Sequence, residues 1–175
     1  MDTKTLIKLC VNNNITKPYF NGVYAANQIP IYGLKYPGFI IVNTKPDTHS
    51  GEHWVVFFYI SENYIEFFDS LGFTPYAFPD FITFFEKNKI TVDYNTKQLQ
   101  NFKSDGCALH CLYFCYFKCK LKYSLDSFLH YYYTSDTIFN DCYVLSKIKK
   151  HFEISPGFLQ TPQIIKICEN QCDVK

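Results

Sequence analysis

Cys107 is the residue best placed to act as a nucleophile. It follows residues 103–106, the turn and capping sequence Lys-Ser-Asp-Gly, and it opens a long apolar segment. Because the N-terminus of a helix favours a thiolate, particularly beside an imidazole, a cysteine in this place can be activated. Gly106 would let the main chain approach a substrate carbonyl, and the Cys107 amide could donate into an oxyanion hole. The competing interpretation is a buried, inert thiol, which is what we expect of Cys115.

A histidine and an aspartate occupy the two ends of a predicted hairpin. His53 begins an apolar run that ends at Tyr59, and a second run from Tyr64 ends at Asp69, with a short polar turn between them. On antiparallel neighbours, the start of one strand and the end of the next lie side by side. His53 can therefore serve as the base for Cys107, oriented by Asp69. Alone, each residue would be ordinary: a lone His is more often surface or core, and an Asp before a turn is usually a turn residue.

Hydrophobic periodicity predicts the elements that position these residues. Residues 107–120 are apolar on nearly every side, and their length favours a buried central helix over a strand. The runs at 53–59 and 64–69 should pair antiparallel in the centre of a sheet. The other predicted elements are a helix at 3–12, a turn-rich stretch at 17–22, a buried strand at 39–42, a helix from Pro79 to Lys87, a strand at 90–94, and helical segments at 124–150 and 161–172, the last begun by Thr161 and Pro162.

Composition indicates one aromatic-rich domain spanning 1–175. The chain has 175 residues, and its 15 Tyr and 18 Phe imply a core packed largely by rings. The formal net charge is +1, and all 17 basic residues are Lys. Base recognition favours the guanidinium of Arg, and non-specific binding needs a basic surface, so nucleic-acid recognition is disfavoured as the main activity. No apolar run approaches the roughly 20 residues of a membrane span, so no membrane partner is expected.

Four of the eight cysteines recur every fourth residue: Cys107, Cys111, Cys115 and Cys119. On a helix they would stack along one slowly drifting face. A metal-thiolate module is one alternative, but structural zinc sites usually pair short knuckles with ligands from elsewhere in the chain. We expect most of these thiols to be small buried hydrophobes and expect no metal site. Residues 1–10 do not resemble a signal peptide, so a reducing compartment is predicted.

Several motifs, taken in order, resemble a known family. They are residues 51–57, where His53 precedes Trp54; residues 68–73, where Asp69 precedes a Gly-containing turn; Gln100; and Cys107, seven positions later, opening residues 107–111. Residues 18–24 and 41–44 extend the likeness to roughly residues 1–120. This set is similar to the adenovirus maturation protease (adenain) family of cysteine proteases in DNA viruses and virus-like transposons. Any one motif alone would be a weak signal.

The resemblance implies an α+β fold and a set of site residues. The fold is the papain-like arrangement in permuted order, with a central nucleophile-bearing helix packed on a mostly antiparallel sheet and a helical C-terminal part. The Gln100 side chain would complete the oxyanion hole, whereas the rival Gln98 has the wrong separation from Cys107. The implied catalytic residues are Cys107, His53, Asp69 and Gln100, and the implied substrate-binding residues are Gly51, Glu52, Trp54 and Gly106.

Two differences between this sequence and the family pattern change which partners are expected. Family members are activated by a viral peptide, through a cysteine on the segment before the glutamine, and by DNA. Here Lys89 stands at the cysteine position and the charge is near neutral. DNA binding is therefore doubtful, and no cofactor is expected. The predicted partners are polypeptide substrates, with a possible activating peptide.

The predicted activity is that of a cysteine endopeptidase. The resemblance implies cleavage of viral structural or precursor proteins near small residues such as Gly, during particle maturation, in the virion or in the cytoplasm or nucleus of the infected cell. An alternative in the same class is removal of ubiquitin-like modifiers after a Gly-Gly tail. A non-enzymatic capsid-associated scaffold is a further alternative, disfavoured because all four catalytic residue types are present.

Overall fold

A five-stranded sheet with helices on both faces makes up the part of the chain that the computed structural model describes, residues 1–154 and 162–172. The strands lie in sequence order: β1 (Phe20–Ala25), β2 (Gly38–Asn43), β3 (Trp54–Ser61), β4 (Tyr64–Phe68) and β5 (Thr91–Tyr94). The α-helices are α1 (Thr3–Asn12), α2 (Pro79–Asn88), α3 (Cys107–Leu121), α4 (Leu125–Tyr132), α5 (Thr137–His151) and α6 (Pro162–Cys172). Short 3-10 turns cover Lys17–Tyr19, Ala26–Gln28 and Pro75–Ala77.

The sheet is mixed rather than mostly antiparallel. The pairs β2–β3 and β3–β4 are antiparallel, which confirms the predicted hairpin at the centre of the sheet. The outer pairs β1–β2 and β4–β5 are parallel. Parallel neighbours need a crossover between them, and α2 lies in the connection from β4 to β5. The prediction of a fold that combines helices with a sheet is confirmed. The prediction of a mostly antiparallel sheet is wrong, because two of the four strand pairs are parallel.

The central strands are buried on both faces. Alternate side chains of a strand point to opposite sides, so a continuous apolar run supplies two cores at once. One core combines strand residues with α1, α3, α4 and α5, and the other combines them with α2. The strand residues of the first core are Phe39, Ile41, Val56, Phe58 and Phe68, and those of the second are Ile40, Val42, Val55, Phe57, Tyr59, Ile65 and Phe67.

The central helix α3 connects the sheet to the remaining helices. Every residue from Ala108 to Cys119 is buried, in agreement with an apolar segment that shows no polar face. Phe114 of α3 stacks on Phe68 at the end of β4, with 4.5 Å between the ring centroids and 5° between the planes. This stacking fixes the end of β4, and with it the following residue, Asp69, against the helix that Cys107 begins.

Most of the predicted elements are confirmed, and the differences are local. The 17–22 stretch is a 3-10 turn that passes into β1, which the turn-like composition concealed. The predicted helical region 124–150 is two helices, because Asp136 begins a new one by accepting the backbone N–H groups of Ile138 and Phe139. The predicted helix at 161–172 is found as α6. Its proposed first residue, Thr161, lies outside the described residues.

A disulfide joins Cys142 of α5 to Cys168 of α6, with 5.4 Å between the Cα atoms. The sequence did not predict this pairing, because spacing alone carries no information on which thiols meet in space. The bond fixes α6 against α5. Within the described part of the chain, no helix has both the length and the apolar character needed to cross a membrane.

Candidate active site

His53 and Asp69 form a hydrogen-bonded pair at one end of the central hairpin. Their strands pair with Val56 opposite Phe68, so the residue before β3 and the residue after β4 are brought together. His53 Nε2 lies 2.8 Å from Asp69 Oδ1. The histidine side chain is 12% exposed and the aspartate side chain 0%, so the base is accessible while its carboxylate partner is not.

Asp69 is held in place by the backbone N–H of Leu71 and by the side chain of Asn95. Its Oδ1 also accepts the Leu71 N–H at 2.7 Å. The buried Asn95 contacts the Asp69 main chain twice, donating Nδ2–H to the carbonyl at 2.7 Å and accepting the amide N–H at 3.0 Å. The role of Asn95 was not predicted from the sequence. A signal was available, since Asn95 follows β5 just as Asp69 follows β4, and the ends of parallel neighbours meet at one edge of the sheet.

The pKa of His53 is raised to about 9. Burial of the ring by itself lowers the pKa, but the hydrogen bond to Asp69, the nearby Cys107 thiol and the negative charges of both groups outweigh burial and raise it. Because Nε2 is engaged by Asp69, Nδ1 is the nitrogen left for the Cys107 sulfur. The imidazolium form therefore persists well above neutral pH, as an ion pair with a thiolate requires.

Cys107 is the first residue of α3 and remains partly accessible. Residues 103–106 form the turn before this helix as predicted, with Gly106 at the N-cap position and no side-chain cap hydrogen bond. Asp105 instead accepts the backbone N–H groups of Gln163 and Ile164 at the start of α6, at 3.3 and 3.0 Å. Ser104 Oγ accepts the Gly106 N–H at 3.1 Å, which tightens the turn before the nucleophile. The first turn of α3 is thus shaped by a neighbouring helix.

Gln100 lies in a buried position beside the turn that leads to Cys107. Its side chain is nearly enclosed, at 2% exposure. Oε1 accepts the Ser70 hydroxyl at 2.7 Å, and Nε2 donates to the Ser104 carbonyl at 2.8 Å. Since an amide nitrogen has two hydrogens, Gln100 retains donor capacity for a developing oxyanion. Gln98, the rival, donates to the Gln100 carbonyl at 2.9 Å and so supports the Gln100 backbone.

The four predicted substrate-binding residues have different surroundings. Gly51 and Trp54 line a cleft of about 470 Å3 that His49 also lines, whereas His53, Asp69, Gln100 and Cys107 are not among its lining residues. Glu52 is exposed and forms a 3.4 Å ion pair with Lys45. At Gly106 an added Cβ would lie 2.8 Å from Ile164 Cδ1, so the Ile164 side chain of α6 packs directly against this glycine. The cleft therefore involves Gly51 and Trp54 directly.

The other thiols of α3 are enclosed by the core. Burial raises the pKa of Cys111 and Cys115 well above the ordinary value and that of Cys119 to about 12. Cys111 donates its S–H to the Trp54 carbonyl at 3.2 Å, which connects α3 to the residue after His53. Among residues 1–154 and 162–172, no group of three or more His, Cys, Asp or Glu side chains is arranged to hold a metal ion. Apart from Cys107, the stripe consists of packing residues.

Comparison with known proteins assigns no family to this chain. No model of a known protein family matches it, and no curated protein matches it. The resemblance to the adenain family therefore stays a prediction, and the chemistry of the site is the basis for the function proposed below.

Proposed function

We propose that this protein is a cysteine endopeptidase that uses Cys107, His53 and Asp69 as a triad. The observation that carries the proposal is that one partly exposed imidazole is hydrogen-bonded to a fully buried carboxylate and lies near enough to the thiol that begins a helix for that thiol to raise the imidazole pKa. A nucleophile, its base and the group that orients the base are thereby assembled in the order that acyl transfer requires.

The proposed reaction has two steps. The Cys107 thiolate attacks a peptide carbonyl, forming an S–C bond, and the negative charge passes to the carbonyl oxygen. The Cys107 amide and Gln100 Nε2–H stabilise that oxygen, an interaction whose loss typically costs a factor of about 10² to 10³ in rate. The C–N bond then breaks as the His53 imidazolium protonates the leaving amine. Water, deprotonated by His53, hydrolyses the thioester and restores the thiol.

The proposed substrates are polypeptides that present small residues at the cleavage site. Gly51 and Trp54, close to His53 in sequence, line a cleft, and an added Cβ at Gly51 would lie 2.5 Å from Asn43 Nδ2. Glycine in a substrate admits an extended backbone without a side-chain clash. The motif resemblance supports viral structural or precursor proteins as the substrate class, and the virion or infected cell as the setting.

The test is time-resolved mass spectrometry of labelling with iodoacetamide at neutral pH. We expect fast single labelling at Cys107 in the wild type and much slower labelling in His53→Ala. His49→Ala is the matched control, because His49 is exposed near the same cleft and contacts Thr48 rather than the triad. Labelling spread over several thiols, or equal rates in wild type and His53→Ala, would contradict the triad.

A substrate panel then distinguishes the alternatives. Wild type and Cys107→Ser are incubated with capsid-type precursor peptides containing Gly and, separately, with ubiquitin-like conjugates ending in Gly-Gly. Cleavage of the precursor peptides supports the proposed function, and exclusive cleavage of the conjugates would replace it with deconjugation. An activated thiol that cleaves neither set would contradict the proposed substrate class.

A further inference from the structure

A second His–Asp pair lies buried behind the site and is not used by the proposed mechanism. His110 Nε2 lies 2.8 Å from Asp141 Oδ1, and both side chains are 0% exposed. His110 Nδ1 lies 3.0 Å from the hydroxyl of Tyr133, which is also buried. With Nε2–H donated to Asp141, a neutral ring accepts the Tyr133 O–H at Nδ1. Without access to solvent, this pair cannot meet a substrate.

Asp141 also contacts the segment that carries Gln100. Its second oxygen, Oδ2, accepts the backbone N–H of Asn101 at 3.3 Å. Asn140, the preceding residue on α5, donates Nδ2–H to the backbone carbonyl of Leu99 at 3.0 Å. The residues on both sides of Gln100 are therefore hydrogen-bonded by consecutive side chains of one helix. This explains how an irregular segment can hold a buried amide in one orientation.

The same carboxylate connects that segment to the nucleophile helix. His110 is one turn after Cys107 on α3, and its Cδ2 approaches within 3.7 Å of the position that a Gly106 Cβ would take. Asp141 thus receives a donor from α3 through His110 and a donor from the Gln100 segment through Asn101. An oxyanion hole built from the Cys107 amide and Gln100 needs these two elements at a fixed separation, because donors must meet the oxyanion at about 2.7 to 3.1 Å.

We propose that Asp141 is a positioning residue that, through Asn101 and His110, sets the distance between the Gln100 side-chain amide and the Cys107 backbone amide. This inference rests on the proposed function, since it assigns Asp141 to the oxyanion hole of that same site. Asp141 touches neither substrate nor reacting atoms. Its removal should loosen the hole while leaving the Cys107–His53–Asp69 contacts as they are.

Two reactions of the same thiol separate these effects. Iodoacetamide alkylation is displacement at a saturated carbon and needs the thiolate but no oxyanion donor. Acylation by an N-acylglycine 4-nitrophenyl ester forms an S–C bond and a tetrahedral oxyanion, then breaks the ester C–O bond as nitrophenolate leaves. In Asp141→Ala we expect single-turnover acylation to fall about 10- to 100-fold, while alkylation of Cys107 stays within about threefold. Tyr133→Phe, which alters the same cluster without touching the Gln100 segment, should change neither rate.

A double-mutant cycle gives the decisive result. If Asp141 acts through Gln100, then Asp141→Ala should have almost no effect on acylation in a Gln100→Ala background. The inference would be overturned if the two substitutions reduced the acylation rate independently, so that their factors multiplied in the double variant. It would also be overturned if Asp141→Ala slowed alkylation as much as acylation. If Asp141→Ala does not fold, the cycle is run with His110→Leu/Asp141→Ala, an apolar replacement of the buried pair whose summed side-chain volume is close to the original and which leaves no buried ionisable group unpaired. Wild-type Cys107 that reacts with neither probe would instead contradict the proposed function.

Discussion

Replacing Asp69 by Asn should lower the pKa of the His53 imidazole while leaving the geometry of the pair almost unchanged. The amide has the volume of the carboxylate, and its oxygen can still accept the Leu71 N–H and the His53 Nε2–H. What is lost is the negative charge next to the ring. That charge contributes to the raised pKa through both the hydrogen bond and the direct Coulomb attraction.

The magnitude follows from the structure. A His53 pKa moved from the ordinary 6.5 to about 9 corresponds to about 3 kcal/mol of preference for the imidazolium. An opposite charge in contact typically moves a pKa by roughly one to three, so the His53 pKa in Asp69→Asn should fall to between roughly 6 and 8. The folded-state pKa of the wild type is raised, so the stabilisation from this proton is complete below about pH 6.5 and is lost as the pH rises through about 9. The mutant should lose between about 1.4 kcal/mol and all of that pH-dependent stability.

The assay is an NMR titration of protein labelled at the histidine 13Cε1 position, with the His53 signal assigned by its absence in His53→Ala. Urea unfolding at pH 6 and pH 9.5 supplies the stability difference independently. Asp126→Asn is the control, because Asp126 is exposed on the first turn of α4. An imidazole that titrates at the same pH in wild type and Asp69→Asn would refute the electrostatic role assigned to Asp69, as would an equal change in the control.

Two further predictions concern buried polar contacts of the fold. Asn95→Ala leaves the buried amide and carbonyl of Asp69 without their partners, so urea unfolding should show a loss of about 2 to 5 kcal/mol, with slower Cys107 alkylation; an unchanged alkylation rate would show that Asn95 does not position Asp69. Lys118→Met should cost about 3 to 5 kcal/mol because it leaves the buried Glu66 carboxylate unpaired, whereas Lys118→Met/Glu66→Gln should recover much of that loss. Equal instability of the single and double variants would mean that the ion pair is not the cause.

The elements that carry the triad could be predicted because their signals are local. The apolar runs ending at Tyr59 and Asp69, with a short polar turn between them, permit little besides a hairpin, and a hairpin necessarily brings its open ends together. The helix after Gly106 was predicted from an apolar segment too long for an ordinary strand. The pairing of His53 with Asp69 follows from these two local facts.

The surroundings of the triad could not be predicted, because they depend on residues distant in sequence. Residues 103–106 were predicted as a turn and cap before α3, but Asp105 accepts backbone donors from α6, 58 and 59 residues further along the chain. The parallel outer pairs of the sheet depend on crossovers that pack as whole elements. Neither composition nor periodicity encodes such long-range choices, since loop closure allows many pairings of similar entropy.

The sequence by itself predicted that Cys107, His53 and Asp69 stand at the ends of their elements, since those ends follow from strand and helix periods. Only the tertiary structure decided how Gln100, the proposed oxyanion donor, is held. Asn95, Asn140 and Asp141 have no distinguishing local pattern, and their roles exist only where β5, α5 and the Gln100 segment meet. Their side chains satisfy buried backbone groups, and which groups become buried is settled when the elements pack together.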